Sequence, residues 1–96
     1  MPTTYPITHD EAGQRFVLDR DGRVSYLVYR QLDATTVDFV STWVHPSLRG
    51  GGVGARLVER ALLWAEEQGL RVVPTCWFVA EYIERNPRYQ PLAARA

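Results

Sequence analysis

The pattern of apolar and polar positions predicts strands in the first half of the chain. Residues 15–18 form a short apolar run that ends near Asp21 and Gly22, a dipeptide typical of tight hairpin turns. Residues 24–32 alternate between apolar and polar side chains, and residues 36–44 are rich in β-branched and aromatic ones. Three short strands separated by tight turns predict an antiparallel meander.

Helical periodicity begins after a glycine-rich segment. Four of residues 50–54 are glycines, and from Val53 to Ala65 the apolar side chains recur every three to four positions. Gly69 is a suitable residue to end the helix. The pattern therefore predicts one amphipathic helix between Val53 and Gly69.

A strand and a second helix are predicted after Gly69. Residues 70–73 resume strand character, and strand-forming side chains continue through residues 75–78. Residues 79–85 predict a short helix that ends before Pro87. The strand, helix and strand around the glycines form a β-α-β unit with a right-handed crossover. The predicted fold class is α/β: a mixed α+β sheet in which an antiparallel meander precedes a β-α-β-α unit.

The domain organisation follows from this order of elements. Residues 1–12 show no clear period and predict an irregular lead-in, residues 13–92 predict a single domain, and residues 93–96 predict a frayed tail. A chain of 96 residues is long enough for one hydrophobic core and too short for two.

Composition excludes several classes of function. The 11 basic and 11 acidic residues balance, which gives no field that favours nucleic acid or an anionic membrane. Every basic residue is an arginine, so chemistry that depends on lysine is excluded. The single cysteine excludes an internal disulfide and a cysteine-based zinc cluster, and no metal site is expected. With no apolar run of about 20 residues and no signal-peptide pattern, we expect a cytoplasmic protein.

The glycine-rich segment is the main chemical signal in the sequence. Residues 49–54 read Arg-Gly-Gly-Gly-Val-Gly, and glycines before a helix allow several backbone N–H groups to approach a phosphate or pyrophosphate. A flexible turn without a ligand is the alternative. A Walker loop is excluded because it needs a lysine, and a dinucleotide-binding loop is disfavoured because residues 72–75 contain no acid.

Four ordered segments make the chain resemble a known superfamily. Residues 49–54 match the [QR]-x-x-G-x-[GA] loop of the GNAT superfamily of acyl-CoA-dependent N-acetyltransferases. The chain is also similar to a compact single-domain GNAT family through residues 41–44 (Ser-Thr-Trp-Val), 74–78 (Pro-Thr-Cys-Trp-Phe) and 85–89 (Arg-Asn-Pro-Arg-Tyr). The resemblance covers about residues 14–92 and implies a minimal GNAT fold that binds acetyl-CoA as acyl donor, without a metal.

The resemblance also implies which residues contact the coenzyme. In this superfamily the loop amides bind the pyrophosphate, and the end of the preceding strand binds the pantetheine arm where two parallel strands separate, here expected after Val44 and Val73. The Arg49 side chain could pair with a phosphate or be solvated, and Asn86 could contact the coenzyme or cap a helix. The implied coenzyme-binding residues are Thr42, Val44, Arg49, Gly50, Gly51, Gly52, Val53, Gly54 and Asn86.

Three residues are candidates for catalysis. Cys76 corresponds to a residue that lines the acetyl pocket, where a thiol could accept the acetyl group or shape the pocket. Tyr82 could protonate the leaving thiolate or be a packed aromatic residue. Ser41 stands where the compact family has a histidine, and a hydroxyl can relay a proton but is not a base near pH 7 without an activator. His45 is expected to be a loop histidine.

The resemblance implies an acetyl-CoA-dependent N-acetyltransferase that acts on a primary amine by direct attack. The alternative is a non-catalytic acyl-CoA-binding or partner-interaction module, which the missing histidine favours. Larger members of the superfamily carry helices around the acceptor site, where this chain has only the predicted lead-in. We therefore expect an open acceptor side compatible with a protein-borne amine, and a monomer or weak dimer.

Overall fold

The computed structural model describes residues 6–93, which form a five-stranded sheet covered by two helices. The strands are β1 (Ile7–Asp10), β2 (Arg15–Arg20), β3 (Arg23–Asp33), β4 (Thr36–Trp43) and β5 (Arg71–Val73), and the helices are α1 (Val53–Glu67) and α2 (Trp77–Arg85). Two short 3-10 segments lie at Pro46–Leu48 and Pro87–Leu92. None of the described helices is long and apolar enough to cross a membrane.

The sheet confirms the predicted fold class. The strands lie side by side in chain order, β1 to β4 pair antiparallel, and β4 pairs parallel with β5 across the α1 connection. The apolar stripe of α1, which includes the fully buried Leu57, Val58 and Leu62, packs on the sheet against core residues such as Phe16 and Phe39. The prediction of a β-meander followed by a β-α-β-α unit is therefore correct.

Both helices lie on the same face of the sheet. The first turn of α2 meets the start of α1, where a Cβ atom placed on Gly54 would lie 3.0 Å from the Phe78 ring. Further along, the Tyr82 hydroxyl donates a hydrogen bond to the Glu59 carboxylate at 3.2 Å. On β4, the fully buried Val37 and Phe39 face these helices. Within residues 6–93 the molecule thus has two layers, and the opposite face of the sheet is uncovered.

The predicted irregular lead-in is wrong for Ile7–Asp10, which form β1 and pair with β2. The His9 ring stacks on Phe16 with ring centroids 4.2 Å apart, and its Nε2 atom lies 2.6 Å from the Tyr29 hydroxyl. Residues 1–5 and 94–96 lie outside the described part of the chain. Ala93, predicted to belong to a frayed tail, forms an isolated parallel bridge with Val72.

The predicted extension of the fifth strand through residues 75–78 is also wrong. β5 ends at Val73, Pro74 has no N–H group to continue the ladder, and α2 already begins at Trp77, two residues before the predicted start. Val79 and Ile83 become the buried stripe of this helix. Tertiary packing therefore makes this segment helical, although its aromatic residues favour a strand locally.

One extra residue in β4 sets the directions of its last side chains. Phe39 pairs with Tyr29 and Ser41 pairs with Val28, so Val40 has no partner on β3 and forms a bulge. Beyond the bulge, Thr42 faces the helices. Ser41 and Trp43 face the uncovered side because their cross-strand partners on β3 do so. Strict alternation from Phe39 would have given the reverse arrangement.

Candidate functional site

A gap opens between β4 and β5 because β5 is much shorter than β4. The parallel pairing ends at Asp38 and Val73, and the last contact is a 2.9 Å hydrogen bond from the Cys76 N–H to the Phe39 carbonyl. No described strand pairs with the rest of this edge of β4. The prediction that the strands separate after Val44 and Val73 is wrong for β4, because the register pairs Val73 with Asp38 and starts the opening several residues earlier.

A cavity of about 340 Å³ occupies the mouth of this gap. Its lining residues are Thr42, Trp43, Val44, Arg49, Cys76, Trp77 and Phe78. The Thr42 hydroxyl lies 3.6 Å from the Cys76 sulfur, which is buried with 8% of the residue exposed. The structure therefore brings together four residues that the sequence singled out: Thr42, Val44, Arg49 and Cys76.

A second cavity, of about 320 Å³, extends from the first to the start of α1. Val44, Arg49 and Phe78 line both cavities, so the two cavities adjoin each other, and together they are called the groove. The groove is lined further by Leu48, Gly50, Gly52, Val53, Gly54 and Ala55. It runs from the N-terminus of the central helix to the buried cysteine.

The start of α1 is suited to bind an anion. Gly52 is the N-cap of the helix and has a φ angle of 82°, and Gly50 has a φ angle of 85°, a region that favours glycine. The N–H groups of the first turn have no intrahelical partner and carry the positive end of the helix dipole, and no side chain caps them. Gly54 allows close approach of Phe78, as noted above. Each feature agrees with the phosphate-binding role predicted for this loop.

Arg49 connects the two parts of the groove. Its Nε atom donates a hydrogen bond of 3.0 Å to the Val44 carbonyl, and its guanidinium lies 4.9 Å from the centroid of the Trp43 ring. The side chain is exposed and is held across the end of β4 by these contacts. Because the Val44 carbonyl already accepts this hydrogen bond, a ligand would reach that acceptor only in competition with Arg49.

The other two catalytic candidates lie away from this cavity. Ser41 is exposed on the uncovered face of the sheet, opposite the Thr42 side chain. Tyr82 lines a separate cavity of about 150 Å³ with Phe78, Glu81 and Arg85, and burial and the Glu59 carboxylate raise the pKa of Tyr82 to about 12. The structure thus brings neither side chain into the cavity with Cys76.

Asn86 and His45 both have local structural partners. The Asn86 side-chain amide donates a hydrogen bond of 2.8 Å to the Tyr82 carbonyl, and the residue is the C-cap of α2, which is the helix-cap alternative raised from the sequence. The His45 Nδ1 atom accepts a 3.1 Å hydrogen bond from the Ser47 N–H at the start of a 3-10 turn. His45 is therefore a loop histidine, as expected.

Sequence reasoning missed the aromatic rim of the cavity. Neither tryptophan was a candidate site residue, and yet Trp43 is 43% exposed and Trp77 is 71% exposed. Trp77 belongs to the Pro-Thr-Cys-Trp-Phe segment, so its position beside Cys76 was the available signal. Within residues 6–93, no three His, Cys, Asp or Glu side chains form a group that could hold a metal ion.

Comparisons with known proteins agree with this geometry. A family model described as GCN5-related N-acetyl-transferase matches residues 15–92. Protein NATD1 from Xenopus tropicalis is 30% identical over 88 residues, which cover 90% of this chain and 81% of that protein. Human Protein NATD1 is also 30% identical over 88 residues and is covered over 78% of its length.

Solved structures show the same fold. The NMR structure of a GCN5-like protein from Staphylococcus aureus has a TM-score of 0.76 at 24% identity and covers 99% of this chain and 93% of its own. The crystal structure of Ard1 from Thermoplasma volcanium has a TM-score of 0.56 at 25% identity, and the alignment covers 85% of this chain and 58% of the Ard1 chain. The family match over residues 15–92, the fold and the glycine loop lead to one assignment: this chain belongs to the GCN5-related N-acetyltransferase family.

Proposed function

We propose that the protein is an acetyl-CoA-dependent N-acetyltransferase that transfers the acetyl group to a primary amine by direct attack. The observation that carries this proposal is the pair of adjoining cavities that extends from the uncapped N-terminus of α1 to the buried Cys76. Such a groove has an anion site at one end and an apolar, half-enclosed cavity at the other. These ends match the pyrophosphate and the acyl group of an acyl-CoA.

Different residues of the groove bind different parts of the coenzyme. The backbone amides around Gly50–Gly52 and the first turn of α1 hold the pyrophosphate. The edge of β4 that no described strand pairs with offers backbone groups to the amides of the pantetheine arm. Thr42, Cys76 and the ring of Phe78 then surround the acyl end, which keeps the thioester in a defined position.

Direct attack needs few groups beyond this positioning. The nitrogen of an uncharged amine forms a bond to the thioester carbonyl carbon, the carbon–sulfur bond breaks, and the coenzyme leaves as thiolate. The nitrogen loses one proton, which passes to the thiolate or to solvent. N–H groups and hydroxyls around the carbonyl stabilise the negative charge that develops on its oxygen. Cys76 forms a wall of the acyl pocket in this mechanism, and a transient acetyl-cysteine is the competing route.

Two measurements test the proposal in sequence. Calorimetric titration with acetyl-CoA should give saturable binding, and the absence of binding at high micromolar concentration would overturn the proposal. Coenzyme A thiol release should then be followed with a panel of primary amines. A Cys76→Ala variant that keeps full turnover excludes the acetyl-cysteine route, whereas loss of turnover with intact acetyl-CoA binding supports it.

The alternative function is a non-catalytic acyl-CoA-binding or partner-interaction module. One observation favours it: among the described residues that line the cavity beside Cys76, none carries a carboxylate or an imidazole. Acetyl-CoA binding without thiol release for any amine between pH 7 and pH 9 would support this module and contradict the enzyme.

A further inference from the structure

The Arg49 side chain lies where the two cavities of the groove adjoin. It lines both of them, whereas Trp43 lines only the cavity beside Cys76 and Gly52 lines only the cavity at the start of α1. Among the described residues that line the two cavities, Arg49 is the only one with a charged side chain. A single guanidinium group therefore borders both the anion site and the acyl end.

The partners of Arg49 in the structure are neutral groups. Its Nε atom donates the 3.0 Å hydrogen bond to the Val44 carbonyl, and its guanidinium lies against the Trp43 ring. None of the ion pairs among the described residues includes Arg49. A phosphate accepts two parallel hydrogen bonds from a guanidinium and adds the attraction of opposite charges, neither of which a carbonyl offers. A pyrophosphate at the adjacent Gly50–Gly52 loop would therefore draw Arg49 away from Val44.

The Val44 carbonyl is a backbone acceptor within reach of a pantetheine arm. Val44 lines both cavities, and its carbonyl points into the groove, because Arg49 reaches it from there. The amide N–H groups of pantetheine lose water when they enter the groove, and a buried N–H group without an acceptor costs free energy. The guanidinium stands in the way of this contact, so the arm bonds to the Val44 carbonyl only when Arg49 leaves it.

We propose that Arg49 makes the groove selective for acyl thioesters that carry a pyrophosphate, and that it does so by covering the Val44 carbonyl until the pyrophosphate binds. This inference rests on the proposed acetyltransferase function. On binding, the guanidinium exchanges the Val44 carbonyl and the Trp43 ring for the pyrophosphate, and the carbonyl then accepts a hydrogen bond from the pantetheine arm. An acyl-pantetheine thioester without a pyrophosphate has to displace Arg49 without this compensation, so Arg49 opposes its binding.

The test is the affinity of Arg49→Met for the two halves of the coenzyme, measured by calorimetry. S-acetylpantetheine should bind about fivefold more tightly than to the wild type, because its competitor is gone. ADP should bind about tenfold less tightly at low salt, because a charged partner is lost. In thiol-release assays with one amine, the kcat/KM ratio of acetyl-CoA to S-acetylpantetheine should fall by about 50-fold, the product of the two effects.

Two other variants separate the charge of Arg49 from a general effect of removing an arginine. Arg71→Met removes an exposed arginine at the start of β5, at the end of the strand away from the gap, and should change neither affinity. Arg49→Lys keeps the positive charge without the planar guanidinium, so it should keep most of the ADP affinity. Thermal unfolding checks that each variant is folded, and Arg49→Lys remains if Arg49→Met is not.

Tryptophan fluorescence follows the movement of Arg49 in the wild type. ADP has no pantetheine arm, and the cavity at the start of α1 is not lined by Trp43. ADP should nevertheless change the emission of Trp43, because the guanidinium leaves the ring to bind the pyrophosphate. The change should be absent in Arg49→Met and in Trp43→Phe and present in Arg71→Met. A change that persists in Trp43→Phe, or no change in the wild type at saturating ADP, would contradict the movement.

The possible failures are distinguishable. A wild-type protein that binds no acetyl-CoA or releases no thiol would overturn the proposed function itself. A wild type that turns over, together with unchanged S-acetylpantetheine affinity in Arg49→Met, would overturn only the role of Arg49 as a competitor. Weaker binding of both S-acetylpantetheine and ADP to a folded Arg49→Met would show that Arg49 merely supports the groove, which also overturns the inference. Opposite changes for the two halves of the coenzyme are the result that only the proposed role gives.

Discussion

Gly51 offers the sharpest test of the anion site because a side chain can be added there without backbone strain. Its φ angle is not among the positive ones, unlike those of Gly50 and Gly52, and an added Cβ would meet only the Leu48 carbonyl oxygen at 3.5 Å, an ordinary contact. Gly51→Glu therefore places a negative charge in the loop, and Gly51→Gln places the same shape without charge. Comparing the acetyl-CoA affinities of the two variants separates the effect of the charge from the effect of side-chain volume.

The expected difference follows from Coulomb's law. At about 6 Å and an effective dielectric constant of about 40, each phosphate charge repels the carboxylate by about 1.4 kcal/mol. Two charges give about 2.8 kcal/mol, or about 100-fold in Kd at low salt. Screening at about 0.15 M salt reduces this to about 1.3 kcal/mol, or about tenfold. Gly51→Gln should therefore bind acetyl-CoA about 100-fold more tightly than Gly51→Glu at low salt.

The assay is calorimetric titration of both variants with acetyl-CoA at about 10 mM and about 150 mM salt, with thermal unfolding as the control for folding. Equal affinities for the two variants, or a difference that salt does not reduce, would show that the pyrophosphate does not lie at this loop. Titration with pantetheine should show little difference between the variants, because that ligand lacks the two pyrophosphate charges.

Three further substitutions test other parts of the structure. Gly54→Ala should weaken acetyl-CoA binding, because the added Cβ would press on the Phe78 ring at 3.0 Å. In thermal unfolding the loss of stability from this clash should be partly offset, because alanine favours the helix over glycine by about 1 kcal/mol. Tyr82→Phe should leave kcat nearly unchanged, because the Tyr82 hydroxyl already donates its hydrogen bond to Glu59. A fall in kcat of tenfold or more would instead show that Tyr82 protonates the leaving thiolate. Burial lowers the pKa of His9, so its contribution to stability is complete above pH 6.5 and is lost as the pH falls through the folded-state pKa. Chemical denaturation from pH 7.5 to pH 4.5 should show this loss, and a His9→Gln variant should lack it.

The sequence predicted the elements whose signals are local. The Asp21-Gly22 turn, the apolar period from Val53 to Ala65 and the stop at Gly69 each depend on neighbouring residues, and the structure contains all three features. The glycine loop was predictable for the same reason, since its anion-binding geometry needs only the loop and the helix that follows it.

The features that the sequence did not predict depend on pairing between distant residues. β1 is only four residues long and exists because His9 stacks on Phe16 and its backbone pairs with β2. The bulge at Val40 appears only when β3 and β4 are placed in register, and no local signal marks it. The opening between β4 and β5 depends on the pairing of Val73 with Asp38, which the sequence alone could not fix.

The bulge also decides which side chains of β4 reach the buried cysteine. If β4 alternated regularly beyond Phe39, Ser41 and Trp43 would face the helices, and Thr42 would turn away from Cys76. The extra residue at Val40 reverses this order, so that Thr42 meets the Cys76 sulfur on the helix side while Ser41 joins Asp38 on the uncovered side. Under the proposed function, the bulge therefore places the Thr42 hydroxyl beside the Cys76 thiol at the acyl end of the groove. One extra residue in β4 thus decides which of its side chains line the acyl pocket and which lie on the other face of the sheet.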